Sequence, residues 1–441
     1  MKKILKSVIV FILAFLARSV LHRYSPKIVM ISGSVGKTST KDAVAAVLSA
    51  RFYIRASEKS FNSEFGVPFT ILGVGNPWSD SLAWLRIVKS ALALLLLPNH
   101  YPALLVLEIG ADRPGDLARI LRIATPDAVV ITRLPEIPVH VEAYASPEHV
   151  REEEFSPAYA LNAGAPLIVP SDDPWALENA KRVSARVITY GGTVDAFVRI
   201  SDIGFYEVDG KVVGMHAMVH MNDEKGTIVV KGSVGRTQLL PVVAALATAH
   251  AFQIPLNEAL KTLESYEPPP GRGRIFAGKN DSIIIDDSYN ASPAAVEEAL
   301  ATLKTFPRAT PASPTGGRPS FAEATKGRRI AVLGDMLELG RYSVLEHERI
   351  AMLVGESADV IVTVGIRARA FTAASKNLEV LLFNCSRTAA LGLSDYVRPG
   401  DVVLIKGSQS IRTERIVEAL LADPSDASRL ARQEKKWKQK V

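Results

Sequence analysis

Short, almost uninterrupted runs of aliphatic and β-branched residues recur along this chain. Most end on a polar or acidic residue, then a turn, then a helically spaced stretch. Residues 28–31, 103–109, 126–132 and 165–169 make a first set, and 282–287, 330–335, 360–365 and 401–407 a second. Runs without alternation suit parallel strands covered on both faces. With helical spacing between them, they predict an α/β protein with two doubly wound domains. Residues 187–230 differ: they alternate and are broken by turns such as Tyr190-Gly191-Gly192 and Val208-Asp209-Gly210-Lys211, which predicts a small antiparallel insert. Residues 81–98 are strongly apolar with helical spacing. Arg86 and Lys89 interrupt them, which favours a buried or membrane-apposed helix over a membrane span.

Glu267-Pro268-Pro269-Pro270-Gly271-Arg272 reads as a stiff linker with a glycine hinge. It divides the chain into an N-terminal helix (1–26), a central domain (27–268), a second domain (269–425) and a basic tail (426–441). Residues 306–328, rich in Pro, Gly, Ser, Thr and Ala without periodicity, read as a disordered insertion. The length of 441 residues agrees with two or three domains. A hydrophobic content of 48% against 22% charged leaves ample core. The net charge of +6 lies partly in the tail, so it argues for no nucleic-acid partner. The single cysteine, Cys385, excludes an internal disulfide and a multi-cysteine zinc site, and fits a reducing compartment.

The first 25 residues place an apolar stretch, 8–17, between Lys2, Lys3 and Lys6 on one side and Arg18, His22 and Arg23 on the other. Three readings stand: an interfacial helix on a membrane surface, a short or tilted anchor, or a helix packed on the domain that follows. In the first two the rest of the chain is cytoplasmic and attached to the inner face of the membrane.

The sharpest chemistry lies in Gly33-Ser34-Val35-Gly36-Lys37-Thr38-Ser39, between a buried strand and a helical pattern. A strand, a glycine-bearing turn and a helix N-terminus make a phosphate cradle, as in a P-loop ATPase domain. Lys37 would reach the outer phosphates and Thr38 would offer its hydroxyl to Mg²⁺. The strict pattern wants a glycine where this chain has Ile31. Glu108 ends the next buried run, where α/β sheets place catalytic groups, and could complete the metal shell with Thr38. Residues 136–154 hold His140, Glu142, Glu148, His149 and Glu152-Glu153-Glu154, which suit either a metal or a solvated acidic helix face.

In this order the motifs resemble the Mur ligase family, ATP-dependent amide ligases of peptidoglycan synthesis. The match runs through the phosphate turn (Gly33 to Ser39), Phe61-Asn62-Ser63-Glu64-Phe65-Gly66-Val67-Pro68, Glu108, Gly271-Arg272 and Asp286-Asp287-Ser288-Tyr289-Asn290-Ala291. It continues through Leu333-Gly334-Asp335-Met336-Leu337-Glu338-Leu339-Gly340 with His347 after it, and Lys406-Gly407-Ser408. The resemblance implies ATP and Mg²⁺ as cofactors and a second, Rossmann-like C-terminal domain. It also implies reaction through an acyl phosphate and, as partners, a UDP-muramyl peptide and D-Ala-D-Ala acting on a monomer. It assigns Asn290 and Asp335 to adenosine, Arg272 to ATP and domain closure, and Asn62, Lys406 and Ser408 to substrate. Related ligases that extend glutamate chains or act on lipid-linked precursors, and a scaffold that has lost catalysis, are the alternatives.

The chain also departs from the family. Roughly 27 residues precede the first strand, so the family's own N-terminal uridine-nucleotide domain is expected to be absent. His140 is the best match to a second-metal histidine. Glu154 falls where the family has a lysine carbamylated to bind metal, so Glu154, or its neighbour Glu153, would supply that negative group directly. Thr237-Gln238-Leu239-Leu240-Pro241 replaces the family's polar stretch on the adenine side.

Overall fold

The protein is described here from a computed structural model covering residues 2–58, 61–77, 80–307, 327–373, 378–434 and 437. Its first sheet is nine-stranded, in the order β2-β3-β1-β4-β5-β6-β7-β8-β9. The strands are β1 (Lys27–Ser32), β2 (Ile54–Ala56), β3 (Leu104–Glu108), β4 (Ala128–Ile131), β5 (Pro166–Pro170), β6 (Arg186–Gly191), β7 (Val198–Val208), β8 (Lys211–Met221) and β9 (Glu224–Lys231). β1, β3 and β4 are buried along nearly their whole length, as the unbroken apolar runs require. The chain leaves β1 toward β2 on one side and returns by β3 to reach β4 on the other, so the order reverses beside the C-terminal end of β1. A sheet of this kind forms its ligand crevice there.

α2 (Lys37–Leu48) and α8 (Arg236–Ala251) cover one face, burying Val44, Val47, Val243 and Leu246. The other face carries α1 (Lys2–Tyr24), α3 (Gly66–Leu72), α4 (Ser81–Leu96), α5 (Asp116–Leu121), α6 (Pro147–Tyr159) and α7 (Pro174–Ala180). α1 buries Leu13, Leu16, Ala17 and Val20 at three- and four-residue spacing, so it packs on the domain that follows.

Two expectations change. The antiparallel segment is no separate insert: β7, β8 and β9 extend the same sheet, and β6 pairs in parallel with β5. β6 alternates because α8 covers one of its faces while Val187 on the other stays exposed. The expected disordered insertion falls largely on 308–326, outside the described residues. At its margins Phe306 is buried and Arg328 is bonded to Asp401 and Tyr396.

The second sheet is six-stranded, ordered β10-β11-β15-β12-β13-β14. It comprises β10 (Arg274–Gly278), β11 (Ser282–Asp287), β12 (Arg329–Gly334), β13 (Val360–Val364), β14 (Glu379–Phe383) and β15 (Val402–Lys406); only β10 is antiparallel to its neighbour. α9 (Leu256–Leu263) precedes this sheet, and α10 (Pro293–Thr305), α11 (Ser343–Ser357), α12 (Ser386–Ser394) and α13 (Glu414–Leu420) belong to it. Ser292 caps α10 through the Ala295 N–H, with Pro293 at the first helical position. Part of the expected basic tail is packed: Arg432 is buried, donates to Ser288 O and Tyr289 O, and pairs with Glu414, whereas 435–436 and 438–441 lie outside the described residues.

One apolar cluster runs from Val44 and Leu246 in the first unit to Leu300 and Phe306 in the second. Phe306 meets Phe205 of β7 at a ring-centroid distance of 4.7 Å. Phe306→Ala should therefore lower stability by about 3–5 kcal/mol in chemical denaturation. A loss under about 1 kcal/mol would show that this residue is outside the core.

Candidate active site

β1 ends in a turn that only glycine can make at two places. Gly33 has φ +121°, and a Cβ there would lie 2.4 Å from Thr132 Oγ1; Gly36 has φ +89° and caps α2 without a side-chain bond. The first-turn N–H groups of α2 are thus left for a ligand, with the helix dipole behind them. Ile31, where the strict motif has glycine, is a fully buried strand residue opposite Glu108, so the turn begins later. Ser34 and Val35 donate their N–H groups to Arg133 O at 3.1 and 3.3 Å, which fixes the turn to the end of β4.

Glu108 closes β3 beside this turn. Thr38 Oγ1 donates to its Oε1 at 3.2 Å, while Oε2 is buried without a hydrogen-bond partner. Ser34 Oγ and Thr132 Oγ1 are buried and unpartnered as well. Leaving such groups unpaired is unfavourable, so a turn ringed by them fits a ligand that supplies their partners. An oxygen-seeking cation between Thr38 and Glu108 satisfies the orphaned carboxylate oxygen, which is the donor chemistry Mg²⁺ takes.

Lys37 bends back over the turn. Its Nζ donates to Gly33 O and to Glu154 Oε1, the latter at 3.3 Å. Glu154, buried on α6, also accepts from Ser32 Oγ (2.9 Å) and the Gly33 N–H (3.2 Å) through Oε2. Both of its oxygens are engaged by protein donors. The carboxylate, expected from the sequence to meet a metal, here holds the lysine and the turn. Glu153 points elsewhere, accepting the Gly115 and Leu117 N–H groups at the start of α5. Asn62 flanks Lys37: its carbonyl takes the Gly110 N–H at 3.1 Å, and a Cβ on Gly110 would lie 3.4 Å from its Nδ2.

The second sheet supplies the facing wall. Val35, Thr132 and Gln238 share one cleft with Arg272, Asn290 and Lys406. Arg272 stacks on Tyr289 at 4.2 Å, a planar contact that aims its guanidinium. Lys406, 3% exposed, is held by Asp287 Oδ2 at 2.5 Å and Asn290 O at 3.0 Å, so it enters the cleft as half of an ion pair. Asp335 and Ser408 do not line that cleft. Asp335 accepts the Ala368 N–H at 2.7 Å and Ser408 Oγ the Leu337 N–H at 2.9 Å, bracing the turn after β12. Burial lowers the pKa of His347, which favours the neutral ring that accepts the Met336 N–H on Nε2 at 3.1 Å.

His140, expected from the sequence to bind metal, lies against acidic side chains and apart from Thr38 and Glu108. Among the described residues no cluster of three His, Cys, Asp or Glu suits a metal ion. Of Thr38, Glu108 and His140 only the first two meet; His140 Nδ1 lies 3.1 Å from Glu338 Oε2 and its Nε2 lies 3.6 Å from Asp112. The His140–Glu338 contact crosses between the two sheets' domains, as does Arg133 to Glu298 at 2.6 Å. Sequence reasoning gave Thr132, Arg133 and Asp287 no role of their own, although Asp287 lies in a matched motif. The position of Thr132 and Arg133 after the strand next to β1 was the available signal.

Residues 31–249 match the Mur ligase middle domain, and residues 309–409 the glutamate ligase domain of Mur ligases. The chain is 26% identical over 415 residues to the UDP-N-acetylmuramoyl-tripeptide–D-alanyl-D-alanine ligase of Bacillus subtilis, covering 93% of this chain and 79% of that one. It is 28% identical over 417 residues to the ligase of the same name from Mycobacterium leprae, covering 90% and 74%. The solved structure of the MurF ligase of Thermotoga maritima in complex with ADP superposes with a TM-score of 0.72 at 25% identity, over 93% of this chain and 83% of that one.

The contact between the domains is pH dependent. Burial alone would lower the pKa of His140, but the Glu338 hydrogen bond and the charges of Glu338 and Asp112 outweigh it and raise it above 6.5. The same bond lowers Glu338 below 4.5. A raised histidine stabilises fully below its unfolded value and loses that contribution as pH climbs through its folded value; a lowered carboxylate loses its own as pH falls. The pair is therefore complete between about pH 4.5 and 6.5 and weakens above. Energy transfer between dyes on the two domains should fall as pH rises through the raised His140 value, and Glu338→Gln should flatten that dependence. A wild-type profile already flat across this range would show that the His140–Glu338 pair does not govern the contact between the domains.

Proposed function

The chain belongs to the Mur ligase family, and on that premise we propose that it adds D-alanyl-D-alanine to a UDP-muramyl tripeptide in peptidoglycan synthesis, in an ATP-dependent reaction in the cytoplasm. The observation that carries the reading is the phosphate turn of β1 facing Arg272, Asn290 and Lys406 across one cleft.

The first-turn N–H groups of α2, with Gly33, Ser34, Val35, Gly36 and Ser39 shaping the turn, take the phosphates of ATP. Lys37 exchanges Gly33 O and Glu154 for the outer phosphate, and its charge offsets what develops as the tripeptide carboxylate attacks. Thr38 and Glu108 would hold Mg²⁺, which neutralises the transferring phosphoryl group when bound. The attack yields an acyl phosphate and ADP. The D-alanyl-D-alanine amine then attacks the acyl carbon, phosphate leaves, and a proton is lost from nitrogen. Arg272 and Asn290 lie where closure brings them onto the nucleotide, and Asn62 and Lys406 beside the reacting ends of the substrates.

Phosphate release measured with both UDP-muramyl tripeptide and D-alanyl-D-alanine should require the pair. It should drop roughly 10²-fold or more in Lys37→Ala, the loss expected for a cation that faces the developing charge. Release with a polyglutamate or lipid-linked acceptor instead would overturn the substrate assignment, and silence with every acceptor the catalytic one. Glu154→Gln separates its two roles. As the residue that holds Lys37, it should lower kcat while the half-saturating Mg²⁺ concentration stays within about twofold; a ligand would raise that concentration about 10–100-fold.

A further inference from the structure

α1 and α4 present outward faces that nothing in the described chain covers. On α1, opposite the buried Leu13, Leu16, Ala17 and Val20, the residues Val8, Phe11, Ile12 and Phe15 are exposed, Phe11 by 67%. On α4, Ile87 and Ala91 are buried while Leu82, Leu85, Leu92 and Leu96 point out, again at helical spacing. The helices lie side by side: Arg23 Nη1 donates to Leu95 O and Tyr24 Oη to Leu94 O, each at 2.7 Å. Single exposed leucines are ordinary, but two adjoining apolar stripes mark an interaction surface.

Charge says what covers it. Along the other flank of α1, toward α5, runs a groove of about 580 Å³ lined by Phe11 and Ala14 together with Lys6, Arg18, Arg119 and Arg122. Its single carboxylate, Glu64, lies 3.2 Å from Lys6 and 3.7 Å from Arg119. Arg18 and Arg122 have no acidic partner among the described residues. On α4, Arg86 and Lys89 are exposed beside the leucines. Apolar side chains and unneutralised cations on one face complement the acyl boundary and the phosphates of an anionic bilayer.

We propose that this two-helix face docks the enzyme on an anionic lipid surface. Phe11, Phe15, Leu85 and Leu92 enter the acyl boundary, and the groove takes lipid phosphates. α1 is long and apolar enough, over Lys6–Tyr24, to cross a membrane. The burial of its middle turns against α3 and α4 ties it along the domain instead, so it lies on the bilayer. The proposal is independent of the acceptor and of catalysis.

Flotation of the full chain with vesicles tests it, comparing phosphatidylcholine alone with phosphatidylcholine plus phosphatidylglycerol. The protein should float with the anionic vesicles and be released by alkaline carbonate. Arg18→Glu with Arg122→Glu should cut partitioning about tenfold or more, and Phe11→Ser with Leu85→Ser should do the same. Unchanged circular dichroism melting and phosphate release in each variant would show that the fold persists. Equal flotation with neutral vesicles, no flotation, or retention after carbonate would overturn it. So would self-association that these variants abolish in place of vesicle binding.

Discussion

A lysine and a glutamate, both largely removed from water, hold the phosphate turn in its shape. Lys37 and Glu154 reach it from α2 and α6, and the same carboxylate takes the Ser32 hydroxyl and the Gly33 N–H. Neither charge is tolerable there alone, because an unpaired buried charge costs far more than a surface ion pair contributes. The pairing therefore fixes how α6 sits against β1, and with it the wall of the cleft. Glu154 keeps its bonds to Ser32 and Gly33 independently of the one to Lys37.

The rest of the site depends on what the second sheet brings to that turn. Arg272, Asn290 and Lys406 come from the linker, from the loop after β11 and from the end of β15, and each is fixed by a neighbour before any ligand arrives. Arg272 stacks on Tyr289, while Lys406 is clasped by Asp287 and by the Asn290 carbonyl. Groups set in this way need little reorganisation during reaction. The domains touch through a continuous apolar cluster and through charged contacts at its edge, His140–Glu338 and Arg133–Glu298. Apolar burial is non-directional and resists separation, whereas a histidine contact depends on the proton the ring carries, so the adjustable part of the interface is the charged edge.

The first helix shows how one stretch serves two surfaces. Its buried stripe completes the core under α3 and α4, and its outer stripe continues the leucines of α4. Apolar residues around the whole helix read as a membrane segment in sequence, yet the stripe Leu13, Leu16, Ala17 and Val20 is explained by packing on the domain. Only the remainder, with the arginines of the groove, is left to face a partner.

The sequence by itself determined the alternation of strands and helices, the phosphate turn at Gly33–Ser39 and the carboxylate at the end of β3. Each of these is written in a few neighbouring residues, through burial periodicity and the φ angles glycine permits. It also singled out Arg272, Asn290 and Lys406, which line one cleft, because their motifs are local. It did not record that Glu154 meets Lys37, 117 residues away, or that His140 meets Glu338 in the other domain. It misread β6, whose alternation reports a half-covered strand and not an antiparallel one. Which charge meets which, and which face of a helix is covered, are decided when distant surfaces pack together, and no local spacing records that choice.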